Sequence, residues 1–280
     1  MRQALGAAAL GAALLFTSGS AVAQMRDNQD KKLECKDRGD SDRFCAMKEE
    51  TLPASAKLEV NAGPNGGISI KGWLKPQILM RAKIEAQGGS ESEARDIASQ
   101  VKISTAGGRI KADGPRSMLG RQNWSVTYEI FVPQRTDLAA STTNGGVSIS
   151  DVKGDMQLDT TNGGINLARL AGKVKGTTTN GGVHIELEGS RWDGDSLEVG
   201  TTNGGVSIAM QEGYSARFEA ETTHGGLTAD IPGASVSKGW IGRSLSATSG
   251  SGGALIKVKT TNGGVRIGKA SAVRAKRSEI

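Results

Sequence analysis

The sequence predicts an all-β protein with a single-domain β-solenoid, a stack of strand–turn coils of about 18–23 residues with one short capping helix. Three observations predict it. An eight-residue pattern occurs six times, each copy is followed by alternating apolar and polar residues, and glycine supplies 40 of the 280 residues. The glycines of the pattern come in pairs and not at every third position, which excludes a collagen helix.

Residues 1–23 have the pattern of a secretory signal peptide. Arg2 supplies a positive charge, residues 4–16 form a short apolar segment, and Ala21-Val22-Ala23 is a small-residue cleavage site. The apolar segment is shorter than the ~18 residues that a membrane-spanning helix needs. We therefore expect an exported protein that is periplasmic, on the cell surface or extracellular.

Residues 24–52 are predicted to form a charged N-terminal arm, because they contain many charges of both signs and few large apolar residues. In an exported chain, Cys35 and Cys45 are expected to form a disulfide that closes the polar loop between them. That loop contains Arg38-Gly39-Asp40, a tripeptide short enough to occur by chance. Residues 269–280 are predicted to be a basic C-terminal tail.

The repeat consists of Thr-Thr-Asn-Gly-Gly followed by an apolar, a polar and an apolar residue. Asn-Gly-Gly tolerates positive φ, so the chain is expected to turn sharply in every copy. The spacings between the asparagine positions are 18, 18, 23, 21 and 38 residues. We predict that these positions form a structural turn ladder, which comprises Asn144, Asn162, Asn180, Asn203, His224 and Asn262.

Each turn is followed by a segment that alternates in polarity. Residues 147–150 read as a half-buried strand, residues 151–155 as a second turn, and residues 156–161 as another half-buried strand. One such coil cannot bury its apolar face alone, but stacked copies can. Asn-Gly between alternating strands also indicates a hairpin, so an antiparallel β meander is the alternative. The constant phase of the repeat favours the solenoid, which we predict over residues 53–268.

Aligning the copies places one polar residue of each coil in an outward column. Asn166, His184 and Arg266 belong to this column and form the candidate binding face. Trp192 is a further candidate, since it lies in an insertion between copies, beside charged residues. Its indole could stack on a sugar ring or cover the edge of the solenoid, and the sequence leaves both interpretations open.

The chain before the repeats has a mixed pattern. Ser90 and Glu93 have the spacing of a capping box, and apolar residues then follow at helical spacing up to Val101, which predicts one short amphipathic helix. This helix could cap the open edge of the solenoid. Strands are predicted on either side of it, over residues 56–73, 77–87, 101–112 and 124–133.

The order of these segments resembles a known bacterial family. A Tyr-Glu-Ile-x-Val-Pro strand at residues 128–133, then Thr136-Asp137-Leu138, then successive Thr-x-Asn-Gly-Gly units is similar to the β-strand-repeat family of putative adhesins, a domain of unknown function. The resemblance covers roughly residues 56–268. It implies an exported or envelope-associated β-solenoid with no established catalytic residues, and it does not extend to the cysteine pair.

The composition argues against most enzyme classes. Two histidines and two cysteines leave little material for a transition-metal site or a Cys/His nucleophile, and the Gly-Gly pairs lack the aspartate of calcium-binding β-rolls. We predict no catalytic residues, no cofactor, no metal and no enzymatic activity. The net charge of +6 is spread along the chain without a dense basic stripe, so a nucleic acid is not an expected partner.

The sequence therefore predicts an exported, non-catalytic, adhesin-like binding or structural protein of the cell envelope. The expected partner is an envelope polysaccharide or anionic polymer, or a surface protein, with peripheral membrane contact through the basic tail. Two alternatives belong to other classes. One is a polysaccharide-acting enzyme that uses Trp192 and Asp193; the other is an envelope-stress structural protein that docks on a membrane partner through residues 269–280.

Overall fold

The computed structural model describes residues 33–35, 41–115 and 122–270. The predicted signal peptide, the Arg-Gly-Asp tripeptide and most of the basic tail lie outside the described residues. In chain order the elements are β1 (Arg43–Pro53), β2 (Lys57–Asn61), β3 (Ile68–Trp73), β4 (Gln77–Gln87), α1 (Glu91–Gln100), β5 (Lys102–Ser104), β6 (Arg109–Asp113), β7 (Asn123–Pro133), β8 (Asp137–Asn144), β9 (Val147–Ser150), β10 (Lys153–Asn162), β11 (Ile165–Ala168), β12 (Ala171–Asn180), β13 (Val183–Glu186), β14 (Ser196–Asn203), β15 (Val206–Met210), β16 (Ala216–His224), β17 (Leu227–Ala229), β18 (Val236–Lys238), β19 (Arg243–Ser249), β20 (Leu255–Asn262) and β21 (Val265–Lys269).

These strands form two sheets. Sheet A has the spatial order β1-β4-β7-β3-β9-β11-β13-β15-β21-β17, and sheet B has the order β18-β19-β16-β20-β14-β12-β10-β8-β2-β6-β5. Each repeat contributes a longer strand to sheet B and a shorter one to sheet A. The apolar side chains of both sheets meet in one continuous core.

The repeats stack in parallel and in register. Ile165 lies opposite Val147 on one side and Val183 on the other, and Asn162 lies between Asn144 and Asn180. Register is fixed because a slip by one residue would turn every buried side chain toward water. The predicted solenoid is therefore confirmed, and antiparallel pairing is confined to strands at the two ends of the stack.

Helix α1 packs at one end of the stack against β1 and β4. The Ser90 hydroxyl accepts a hydrogen bond from the backbone N–H of Glu93 at 3.2 Å, as the capping pattern predicts. The helix buries Ala94, Ile97 and Ala98. The predicted short capping helix is thus present at the predicted place.

Strand β1 differs from the prediction, because its residues were assigned to the charged arm. It pairs with β4 along its whole length, and Phe44 and Leu52 pack against the core. The sequence did not predict this strand because Lys48 and Glu50 lie on the same face as Phe44 and Leu52, so the usual alternation of apolar and polar residues is missing. Glu50 accepts a hydrogen bond from the Thr105 hydroxyl at 2.9 Å and pairs with Lys48 at 3.0 Å, so these charges are satisfied at the edge of the sheet.

The order of the coils in space differs from their order in the chain. The β2–β3 coil lies between β6–β7 and β8–β9, and the last coil, β20–β21, lies between β14–β15 and β16–β17. The 38 residues between the turns at His224 and Asn262 include β18 and β19, which pair antiparallel and extend sheet B beyond β16.

Candidate functional site

The predicted turn ladder forms the corner between the two sheets. The side-chain amide of Asn162 donates to the Oδ1 atom of Asn144 at 2.8 Å, and Asn180 donates to Asn162 at 2.7 Å. The same bond joins Asn262 to Asn203 at 2.8 Å although 59 residues separate them, and His224 lies opposite Asn262 at the end of the column. The structure brings all six predicted residues into one line.

The glycines of this corner have a different role from the one predicted. The chain does turn at this corner, but Gly145, Gly163 and Gly181 do not have positive φ, so the expected reason for glycine was wrong. Glycine is required at these positions because adjacent coils approach closely. A Cβ atom on Gly163 would lie 2.0 Å from the carbonyl oxygen of Gly145. The corner therefore requires glycine to make room for the backbone of the next coil.

The paired threonines divide between the core and the surface. Thr160 is 6% exposed and its hydroxyl donates to the Gly145 carbonyl at 2.8 Å, while Thr178 does the same to Gly163. The carbonyl of the half-buried corner glycine thus has a threonine hydroxyl as its donor in these coils. The second threonine lies on the outer face of sheet B, and it is exposed at Thr143, Thr161, Thr179 and Thr202 but half-buried at Thr223 and Thr261.

The candidate binding face lies on the outer side of sheet A. Asn166, His184, Ser207 and Arg266 are direct neighbours on four adjacent parallel strands, and we call them the polar row. All four side chains are half-buried. The His184 Nδ1 atom lies 2.6 Å from the Ser207 hydroxyl oxygen. Adjacent members are about 4.8 Å apart, since this is the spacing of strands in a sheet.

On the side of Asn166, the strands next to the polar row carry uncharged polar residues at the same position, and the strands beyond these carry a cluster of charged residues. Ser148 and Ser69 occupy the next two strands. Beyond them, Arg81 lies between two carboxylates, 2.7 Å from Glu49 and 3.0 Å from Glu129. The middle of this face therefore offers hydroxyl, amide and imidazole groups, with a cation at Arg266 on the opposite side.

Trp192 does not belong to the polar row. It is 6% exposed, and its indole N–H donates to the Gly172 carbonyl at 2.9 Å. A buried ring cannot stack on a sugar, so the structure does not support that interpretation, and the indole packs in the core instead. The neighbouring Asp193 is exposed and lies 2.6 Å from the Lys153 ammonium group, which lowers the pKa of the Asp193 carboxyl.

A second polar surface was missed by the sequence analysis. An open groove of about 410 Å³ lies on the outer face of sheet B, and Asp159, one of its lining residues, accepts a hydrogen bond from the Thr177 hydroxyl at 2.6 Å. The signal for it was the second threonine of each pair. The side chains that line the groove include Asn61, Ser141, Thr143, Thr161 and Thr179.

The described residues contain neither a cluster suited to a metal ion nor a helix suited to span a membrane. Among them, no group of three or more His, Cys, Asp or Glu side chains is arranged to hold a metal ion. In the same ranges, no helix is both long and apolar enough to span a bilayer. Cys35 and Cys45 form the predicted disulfide, with their Cα atoms 5.8 Å apart.

Solved structures similar to this chain come from several bacteria. They include a putative adhesin from Bacteroides fragilis NCTC 9343, with 10% identity, coverage of 79% of this chain and 96% of that chain, and a TM-score of 0.43. A putative cell adhesion protein from Clostridium sporogenes ATCC 15579 has 14% identity, coverage of 79% and 99%, and a TM-score of 0.35. A putative lipid binding protein from Parabacteroides distasonis ATCC 8503 has 10% identity, coverage of 79% and 97%, and a TM-score of 0.29.

No curated protein matches the chain. The model of the Toastrack DUF4097 family matches residues 48–268, which is more than half of the sequence. The family resemblance inferred from the Thr-x-Asn-Gly-Gly units is therefore confirmed. The chain belongs to the Toastrack DUF4097 family.

Proposed function

We propose that this protein is an exported, non-catalytic binding module of the cell envelope, and that its polar row contacts an envelope polysaccharide. The regular placement of polar side chains across four neighbouring strands of sheet A carries this proposal. Export is supported by the disulfide between Cys35 and Cys45, because such bonds persist in oxidising compartments.

A repeating row suits a repeating ligand. Each polar contact contributes little by itself, but a polymer that reaches several strands makes its later contacts as intramolecular events at high effective concentration. The row is also held rigidly, since each strand is bonded to a neighbour on both sides. Little conformational entropy is then lost when a chain of sugars binds.

The geometry of the row supports binding rather than hydrolysis. His184 and Ser207 have the distance of a nucleophile and a general base, but acyl transfer also needs backbone N–H groups directed at the developing oxyanion. Here the backbone N–H groups donate within the sheet, as that of Val183 does to the Gly205 carbonyl at 2.9 Å.

Asp193 is also poorly suited to the role that the enzyme alternative requires. A glycosidase needs one carboxyl whose pKa is raised so that it can donate a proton. The hydrogen bond and charge of Lys153 lower the pKa of the Asp193 carboxyl instead. Its partner in that hypothesis, Trp192, is buried.

Co-sedimentation of oxidised residues 24–280 with isolated cell-wall and envelope polysaccharide fractions, at low and high salt, tests the proposal. Replacing Asn166, His184 and Arg266 together with alanine should reduce retention at high salt by roughly tenfold or more. Replacing the exposed Thr143, Thr161 and Thr179 with alanine is the matched control on sheet B, and should leave retention unchanged. Equal retention of all three proteins, or release of soluble sugar fragments, would contradict the proposal.

A further inference from the structure

The tip of the β18–β19 hairpin places two large apolar side chains in water. Trp240 is 102% exposed and Ile241 is 73% exposed. In the described part of the chain, five large apolar side chains are exposed, and three of these belong to this hairpin or its flanking strand, the third being Val236 at 38%. An exposed cluster of this kind is typical of an interaction site.

The hairpin tip is held in a defined place at the end of the stack. Strand β19 pairs with β16 along seven residues, and Gly239 N–H donates to the Gly242 carbonyl at 3.2 Å across the turn. The Arg243 guanidinium donates to the Gly225 carbonyl. Gly242 has a φ of 85°, and a Cβ atom there would lie 2.4 Å from the Thr222 carbonyl oxygen, so the turn lies close against strand β16.

Basic residues flank the apolar tip on both sides. Lys238 and Arg243 are directly paired at the base of the turn, and the chain as a whole has a net charge of +6. Tryptophan beside lysine or arginine is the combination that anchors proteins at the boundary between lipid head groups and acyl chains. Anionic head groups complement the cations, while the convex two-residue tip can enter between lipids without a complementary groove.

We propose that this hairpin binds an anionic lipid surface, inserting Trp240 and Ile241 among the lipids while the exposed Lys238 contacts the head groups. This site lies apart from the polar row and extends the proposed function. It would hold the solenoid against a membrane by one end, with the long faces of the sheets still accessible to a polymer.

Sedimentation with vesicles tests the inference, using vesicles of phosphatidylcholine alone and vesicles with an equal part of phosphatidylglycerol. The full oxidised chain should bind only the anionic vesicles, and the tryptophan emission should shift to shorter wavelength. Replacing Trp240 and Ile241 together with serine should lower binding by roughly tenfold or more and remove the shift. The matched control is Leu74→Ser, because Leu74 is 90% exposed but lies outside the hairpin.

Four outcomes would overturn the inference. They are absence of binding by the wild-type chain, equal binding by the double variant, loss of binding in Leu74→Ser to the same extent, and dependence on residues 271–280 alone. A shift in oligomeric state of the double variant on gel filtration, with vesicle binding unchanged, would assign the tip to self-association instead. Vesicle binding by the polar-row variant separates this result from the polysaccharide proposal, since that variant should bind vesicles normally.

Discussion

Gly163, in the middle of the stack, allows a direct test of how closely the coils must approach. In Gly163→Ala the new Cβ atom would lie 2.0 Å from the carbonyl oxygen of Gly145 and 2.4 Å from its carbonyl carbon. Both are backbone atoms of a coil that is bonded to neighbours on each side. No side-chain rotation can relieve the contact, so the corners themselves must separate.

The size of the effect follows from this separation. Restoring a contact of 3.0 Å requires a movement of about 1 Å, which stretches three hydrogen bonds at the corner. They are the bonds from Asn162 Nδ2 to Asn144 Oδ1, from Gly145 N to the Asn162 carbonyl and from Thr160 Oγ1 to the Gly145 carbonyl. Each contributes about 1 kcal/mol, and overpacking itself costs about 1–3 kcal/mol. We expect the free energy of unfolding to fall by up to about 4–6 kcal/mol, against a typical total of about 5–15 kcal/mol.

Urea denaturation followed by circular dichroism measures this change. Gly226→Ala provides the control, because a Cβ atom on Gly226 would meet no heavy atom within 4 Å. The control should differ from the wild type by less than about 0.5 kcal/mol. If Gly163→Ala were no less stable than Gly226→Ala, close approach of the coils could not be the reason for glycine at this position.

Three further substitutions test other contacts by the same measurement. Thr178→Val should cost about 0.5–1.5 kcal/mol because it removes the hydrogen bond to the half-buried Gly163 carbonyl, whereas Thr179→Val on the surface should have little effect; equal costs would exclude this role for the hydroxyl. Tyr128→Phe should leave stability unchanged or raise it by about 1 kcal/mol, because the buried Tyr128 hydroxyl has no hydrogen-bond partner among the described residues; a clear loss would reveal a partner. Burial raises the pKa of the Asp151 carboxyl, but hydrogen bonds at 2.6 and 2.7 Å from Arg169 outweigh it, so the pKa is lowered overall. The ionised pair therefore stabilises the fold above about pH 4, and this contribution is lost as pH falls through the lowered pKa. The difference in urea midpoint between wild type and Asp151→Asn should therefore shrink in acid. A difference that stays constant with pH would refute the assignment.

The repeating part of the fold could be predicted because its signals are local. Alternation at residues 147–150 and 156–161 shows which side chains face inward, and the recurring asparagines mark the corners. The role of the glycines could not be predicted in the same way. Close approach between coils is a contact between distant residues, and the sequence of one corner fits a left-handed turn equally well.

The site was only partly predictable for a related reason. Asn166, His184 and Arg266 share a phase within the repeat, which is enough to place them on one face. Trp192 lies in an insertion with no repeat phase, so only the fold reveals that its indole N–H bonds to Gly172. The exposure of Trp240 could not be predicted either, since it depends on how the hairpin lies against strand β16.

The order of the coils gives the stack its protected ends. Repeats that share a sequence can pair equally well with any other, and a copy exposed at an edge would be a template for the same strand of another molecule. Strand β20 removes this hazard by lying between β14 and β16, and β2 does so by lying between β6 and β8. What remains at the edges is short or charged: β5, β17 and β18 have three residues each, and β1 carries Lys48, Glu49 and Glu50. All the coils that contain Asn-Gly-Gly in sheet B are therefore covered on both sides, which allows a highly repetitive chain to stack on itself without extending into a second molecule.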